Sequence, residues 1–150
     1  MNTFFESTIR YKKIMENGVS KKVSEKWLVN GVSFAEAEAR IIQEMTPFIT
    51  GEFTVSDIKR ANYSEIFFSE EDSADIWFKC KLLFITIGEN SGVEKKTSTN
   101  VLVQAADIRD AVKKLDEVMK GTISDYWVAS VAETAIVDVY PYIQEEKKEE

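Results

Sequence analysis

Two short stretches of the sequence concentrate side chains that bind charged ligands. Residues 10–13 are Arg-Tyr-Lys-Lys, and residues 59–65 are Lys-Arg-Ala-Asn-Tyr-Ser-Glu. Guanidinium and ammonium groups bind anions, and a tyrosine ring stacks on a nucleobase. The sequence therefore predicts a ligand-binding site for a small anion or a nucleotide. Its predicted members are Arg10, Tyr11, Lys12, Arg60, Asn62 and Tyr63.

The same residues also fit an ordinary polar sheet face. On such a face Glu6 or Glu65 pairs with an arginine across neighbouring strands, and no ligand is involved. Both interpretations stay open at the level of sequence.

The composition excludes several kinds of catalysis. The chain has no histidine, so Ser-His-Asp and Cys-His mechanisms are impossible. Cys80 is the only cysteine, which excludes an intrachain disulfide or a zinc site built from several thiolates. It lies in an apolar run, and we expect it to be a core residue. The six glycines match no phosphate-binding loop. We predict no catalytic residue, no metal site and no cofactor.

The charge balance restricts the partners. The formal net charge is −7, so a phosphate backbone is repelled unless the protein carries a local basic patch. Acidic runs at 70–72 and 145–150 favour solvated segments, and we expect 144–150 to be a charged flexible tail. No apolar stretch approaches the roughly 18 residues of a membrane span. One thiol and the lack of a signal peptide predict a cytoplasmic protein without a membrane partner.

The sequence resembles itself at an offset of 74 residues. Residues 22–30 lie over 96–104, and Ser33 and Phe34 lie over Asp107 and Ile108. The pattern predicts one domain at 1–143 made of two repeats, at about 3–68 and 76–142. Two unrelated segments of similar pattern are the alternative.

Each repeat has the pattern of a β-β-α-β unit. Alternating apolar residues predict strands at about 3–15 and 22–29, joined by a turn at Asn17-Gly18. Ser33 and Glu36 form a capping box that begins a helix, which is followed by an extended stretch at 52–68 with a kink near Asn62. The second repeat has strands at 76–87 and 97–105, a helix capped by Asp107 and a last strand at 126–140.

The handedness of strand–helix–strand connections predicts the order second–first–third within each repeat. We expect an α+β fold in which the two repeats form a mainly antiparallel sheet of about six strands with both helices packed on one face. The first and third strands are then neighbours. Alternation places Arg10 and Lys12 on one face, shared with Arg60 and Asn62 if the register agrees.

Several strings carry a family resemblance. They are FFE at 4–6, RY at 10–11, FAEAEARIIQEM at 34–45, GEF at 51–53 and IKRANYSEIF at 58–67. With these strings the chain resembles a family of small proteins of unknown function from gut Bacteroidetes and their phages. The resemblance covers most of the chain and implies a bacterial or phage cytosolic origin, with no assigned activity.

Three functions remain as hypotheses. The first is a non-catalytic binding or interaction protein, phage- or mobile-element-associated and self-associating, that binds a protein partner or a small anionic or nucleotide ligand. The second is a nucleic-acid accessory protein that uses the basic and aromatic sheet face. The third is a metal-dependent enzyme using carboxylates such as Glu65 or Glu133.

Overall fold

The computed structural model describes residues 3–122 and 125–141. Within this part of the chain it contains eight strands and two helices. They are β1 (Thr3–Ile14), β2 (Ser20–Gly31), α1 (Phe34–Met45), β3 (Phe53–Arg60), β4 (Glu65–Phe67), β5 (Ile76–Ile87), β6 (Glu94–Ala105), α2 (Ile108–Val118), β7 (Tyr126–Glu133) and β8 (Ile136–Tyr140). Neither helix has the length and apolar character that a bilayer crossing requires.

The fold class is α+β, as the sequence predicts. The strands form two four-stranded sheets instead of one joined sheet, with the orders β3-β1-β2-β8 and β4-β6-β5-β7. The predicted order second–first–third is present in both sheets. The chain divides into two compact units, one of residues 3–61 with 136–141 and the other of residues 62–135. Each unit contains one sheet and one helix.

The two sheets arise because both long extended stretches are broken. The first stops after Arg60, and the chain resumes as β4, which pairs in parallel with β6 of the second unit. The second stops after Glu133, and the chain resumes as β8, which pairs in parallel with β2 of the first unit. Each sheet therefore receives its fourth strand from the other half of the sequence. The unit boundaries consequently differ from the predicted repeats at 3–68 and 76–142.

The two sheets also share an irregularity. The pairing of β1 with β3 shifts between Thr8 and Ile9, and the pairing of β5 with β7 shifts between Lys81 and Leu82. These positions are related by nearly the same offset as the sequence match. The common element order agrees with a duplication, which itself remains a prediction. The predicted tail at 144–150 lies outside the described residues.

Helix α1 begins where the capping box predicts. The Ser33 Oγ accepts the backbone N–H of Glu36 at 3.1 Å, and the Glu36 carboxylate accepts the N–H of Val32 at 2.6 Å. These bonds satisfy amides that have no partner inside the helix. The helix packs its apolar side on the sheet. The buried residues of this core are Phe5, Ile9, Val29, Ala37, Ile41 and Met45.

Helix α2 also begins with a reciprocal capping arrangement, which uses two aspartates. The Asp107 side chain accepts the N–H of Asp110 at 2.8 Å, and the Asp110 carboxylate accepts the N–H of Ala106 at 2.9 Å. The helix buries Ala111 and Leu115 against β5 and β6. The expected core position of Cys80 is confirmed, since its side chain is fully buried in this cluster.

Strand β8, which comes from the second half of the sequence, should contribute to the stability of the first unit. Val139 is 4% exposed and lies opposite Leu28, whereas Val137 is 41% exposed. We expect Val139→Asp to lower the free energy of unfolding by about 3–5 kcal/mol, because it buries a charge without a partner. Val137→Asp is the matched control and should cost about 1 kcal/mol or less. Urea unfolding followed by circular dichroism measures both; equal effects would contradict the assigned pairing.

Candidate anion-binding site

The β1–β2 hairpin extends beyond its neighbouring strands. Strand β1 pairs with β2 along its whole length, but with β3 only as far as Tyr11. Strand β8 begins to pair with β2 at Lys26. The part of the hairpin between these residues is a two-stranded ribbon within the described structure. We call residues 10–24 the basic arm.

The arm carries five cations and one carboxylate, so its formal charge is opposite in sign to that of the whole protein. The cations are Arg10, Lys12, Lys13, Lys21 and Lys22. The register sets Lys12 directly opposite Lys22, and Lys13 directly opposite Lys21. Like charges in such cross-strand positions are destabilising. None of the five lies within 4.0 Å of a carboxylate oxygen of a described residue.

Lys114 in the second unit shows what a compensated charge looks like. The Lys114 ammonium lies 2.9 Å from Asp110 and 3.2 Å from Glu71, and it donates to the Ser69 hydroxyl at 3.0 Å. Desolvation lowers the pKa of Lys114, but the hydrogen bonds to the two carboxylates outweigh it, and the pKa is raised overall. The cations of the arm have no such arrangement.

A shallow groove of about 870 Å³ lies along the arm. Three of its four charged lining residues are basic, and Glu52 is the fourth. Its lining is Arg10, Tyr11, Lys12, Ile14, Ser20, Lys22, Val23, Ser24, Thr50, Gly51, Glu52, Phe53 and Thr54. The groove therefore combines ammonium and guanidinium groups with hydroxyl groups, which is a donor set suited to phosphate or carboxylate oxygens.

Strand alternation separates the lining into two sets. Arg10 lies opposite both Ser24 and Thr54, and Lys12 lies opposite Lys22, so these five side chains share one face of the sheet. Tyr11 and Phe53 belong to the other face, because they pack against the core under α1. The cations and the polar side chains thus form one continuous surface.

Tyr11 is held in place by its own contacts. Its hydroxyl donates to the Glu25 carboxylate at 3.1 Å, and its ring packs against the core. Desolvation, the hydrogen bond and the negative charge of Glu25 raise the pKa of Tyr11. The ring therefore contributes to the packing of the core and is poorly placed to stack on a base.

The predicted site residue Arg60 lies elsewhere. It is opposite Phe5, five residues or about 17 Å along β1 from Arg10. Its guanidinium stands 5.6 Å from the ring of Phe5 and 5.3 Å from the ring of Phe34, on the α1 side of the sheet. The register that would let Arg60 share a face with Arg10 is not the one observed.

The reason is the bulge in β3. Val55 pairs with Ile9 and Asp57 pairs with Thr8, which leaves Ser56 as an extra residue. One inserted residue reverses the alternation of side chains beyond it. Arg60 is six residues after Thr54, so in a regular strand both would share the face of Arg10. Because of the bulge, Arg60 faces α1 instead.

The six predicted residues thus divide into two groups. Arg10, Tyr11 and Lys12 line the groove, whereas Arg60 does not. Asn62 and Tyr63 belong to the second unit. The prediction missed Lys22, Ser24 and Thr54. The sequence contained a signal for Lys22. In a hairpin that turns at Asn17-Gly18, Lys21 and Lys22 lie opposite Lys13 and Lys12.

The second unit has a matching hairpin without this charge. Residues 83–98 occupy the corresponding register and contain two acidic and two basic residues. Leu83 and Trp127 face each other where the first unit has Arg10 and Thr54, and Ile85 lies opposite Lys96. The Lys96 ammonium stands 5.2 Å from the Trp127 ring. Of the two matching hairpins, only the first therefore carries a cationic surface.

The carboxylates proposed for metal chemistry lie apart in the second unit. Glu65 is on β4 and Glu133 is on β7, which are the two edge strands of that sheet. Three strand spacings separate these edges, or about 14 Å. No group of three or more Cys, Asp or Glu side chains suited to a metal ion occurs among the described residues.

Residues 3–142 match a family described as a domain of unknown function, DUF4494. The chain belongs to this family. The match covers nearly the whole sequence, including both hairpins and both helices. No curated protein matches the chain.

The thiol of Cys80 gives a prediction about pH. Burial raises its pKa from 9.0 to about 11. The folded protein holds this proton where the unfolded chain loses it, so its contribution to stability is full below pH 9 and declines as pH rises towards about 11. In Cys80→Ala, urea unfolding across this pH window should show a shallower decline. Tyr140, whose pKa is also raised, is present in both proteins. Equal declines would contradict a buried neutral thiol.

Proposed function

We propose that this DUF4494 protein is a non-catalytic binding protein whose basic arm holds an anionic, phosphate-bearing ligand. The observation that supports this proposal is the two pairs of directly opposed lysines, Lys12 with Lys22 and Lys13 with Lys21. Each such pair costs about 0.2–1 kcal/mol by comparison with neutral neighbours. A bound polyanion removes this repulsion and supplies the missing counter-charge.

The groove supports a phosphate contact more than a base contact. Arg10, Lys12 and Lys22 supply charge, and Ser24 and Thr54 supply hydroxyl donors on the same face. The Tyr11 hydroxyl donates to Glu25, and its ring packs against the core. The ligand is accordingly recognised by its phosphate oxygens, and a nucleotide would bind through its phosphates.

Other parts of the proposal come from the sequence. The family resemblance supports a phage- or mobile-element-associated role in the cytoplasm, and the absence of catalytic motifs supports binding over catalysis. Self-association is compatible with both. The carboxylate-dependent enzyme has no support from the positions of Glu65 and Glu133 on opposite edge strands.

Isothermal titration with pyrophosphate and with ATP tests the proposal. We expect saturable binding at low salt, weakened about tenfold or more in Arg10→Ala/Lys12→Ala, because charge-assisted contacts to phosphate are lost. Both side chains are exposed, so the fold should be unaffected. The matched control is Lys79→Ala/Lys81→Ala, which removes two exposed cations from β5 of the second unit.

Two results would refute the proposal. One is the absence of binding for any phosphate compound at low salt. The other is an equal loss of affinity in the control variant, which would show that total charge matters and that the arm does not.

A further inference from the structure

We infer that the ligand of the basic arm is a nucleic-acid duplex, and that the arm enters one of its grooves. This inference rests on the proposed function, since it names the class of polyanion that the arm binds. Four features of the arm support it: its shape, the placement of its lysines, its tip and the charge of the surrounding protein.

The shape of the arm fits a duplex groove. The major groove of B-form DNA is about 12 Å wide and 8.5 Å deep and accepts a two-stranded β-ribbon. The arm is such a ribbon beyond Tyr11. From Tyr11 to Ile14 it extends about 10 Å, which exceeds the depth of the groove. A small anion would use only a fraction of this length.

The lysines lie on both faces of the ribbon. Lys12 and Lys22 project from one face, and Lys13 and Lys21 are one residue further along and project from the other. A groove has a phosphate backbone on each side, so a ribbon inside it can present ammonium groups to both walls. A flat surface, such as a bilayer, meets one face only.

Exposed apolar side chains flank the turn at the tip of the ribbon, which itself carries Glu16 and Asn17 and is closed by hydrogen bonds. Ile14 is 74% exposed, Val19 is 59% exposed and Met15 is 38% exposed. Met15 and Val19 are joined by a backbone hydrogen bond of 2.9 Å, and the Asn17 side chain accepts the N–H of Val19 at 3.0 Å. Gly18 supplies the positive φ of 84° that closes the turn. Apolar side chains that enter the major groove contact the methyl groups of thymine bases.

The same tip is poorly suited to a bilayer surface. Residues 12–22 contain no tryptophan, tyrosine or phenylalanine, the residues that anchor proteins at the lipid interface. The rest of the protein is acidic and is repelled by phosphates. Contact with a duplex is therefore confined to the arm, and at most five cations take part.

Fluorescence anisotropy of a labelled short duplex tests this inference on the full chain. We expect the logarithm of the association constant to fall with the logarithm of salt concentration with a slope no steeper than about −4.5, as five cations allow. Lys21→Ala/Lys22→Ala should make this slope shallower by about 2. Lys95→Ala/Lys96→Ala changes the matching positions of the second hairpin and should leave binding unchanged.

A second variant distinguishes the contribution of the apolar tip from that of the cations. Ile14→Ser/Val19→Ser keeps every cation, so the salt slope should persist while affinity for the duplex falls by about tenfold, since apolar contact with the bases is lost. An unchanged affinity in this variant would overturn insertion of the tip into the duplex.

The competing ligands give distinguishable outcomes. If the single strand of the same sequence or vesicles containing phosphatidylserine bind as tightly as the duplex, the inference fails. If pyrophosphate binds through Arg10 and Lys12 while the duplex binds no tighter, the inference fails and the proposed function stands. If no anion binds at low salt, both fail.

Discussion

The register of the β1–β2 hairpin is the constraint on which the rest of this structure depends. Phe5, Ile9 and Val29 must face α1, and a slip of one residue would turn all three towards the other side of the sheet. Burial at the base of the hairpin thus fixes the pairing along its whole length, including the exposed end. The opposition of the lysines in the basic arm follows from the register that buries these core residues at the base of the hairpin.

The exchange of β4 and β8 ties the two halves of the chain together. Each of these short strands pairs in parallel with the second strand of the sheet formed by the other half. Neither sheet is complete with residues of its own half of the sequence. Arg40 adds to this link by donating to the backbone carbonyls of Asn30 and Pro141, which connects α1 with β2 and with the residue that follows β8.

The two hairpins are alike at the positions that face their cores and differ at the positions on the opposite face. Apart from the buried Ser7, the positions that point towards the cores are apolar in both units, as the fold requires. The positions on the opposite face differ: Arg10 and Lys12 in the first unit correspond to Leu83 and Ile85 in the second. Since both hairpins fold alike, the cations are not needed for the fold, and their concentration on one hairpin supports the proposal of a binding surface.

The sequence by itself determined the local elements. The alternation in β1, the capping residues Ser33 and Asp107 and the turn at Asn17-Gly18 all act within a few residues, so their patterns can be recognised without tertiary information. The order of three strands in each sheet followed from the handedness of the connections. Arg10, Tyr11 and Lys12 were predicted to bind a ligand from their residue types, and all three line one groove.

Only the tertiary structure decided which strands complete each sheet and which residues join the groove. The partners of β4 and β8 are remote in sequence, and periodicity carries no information about the partner of a short strand. The bulge at Ser56 reversed the side-chain alternation and moved Arg60 away from Arg10. A single inserted residue leaves the sequence pattern almost unchanged, but it exchanges the two faces of the strand beyond it.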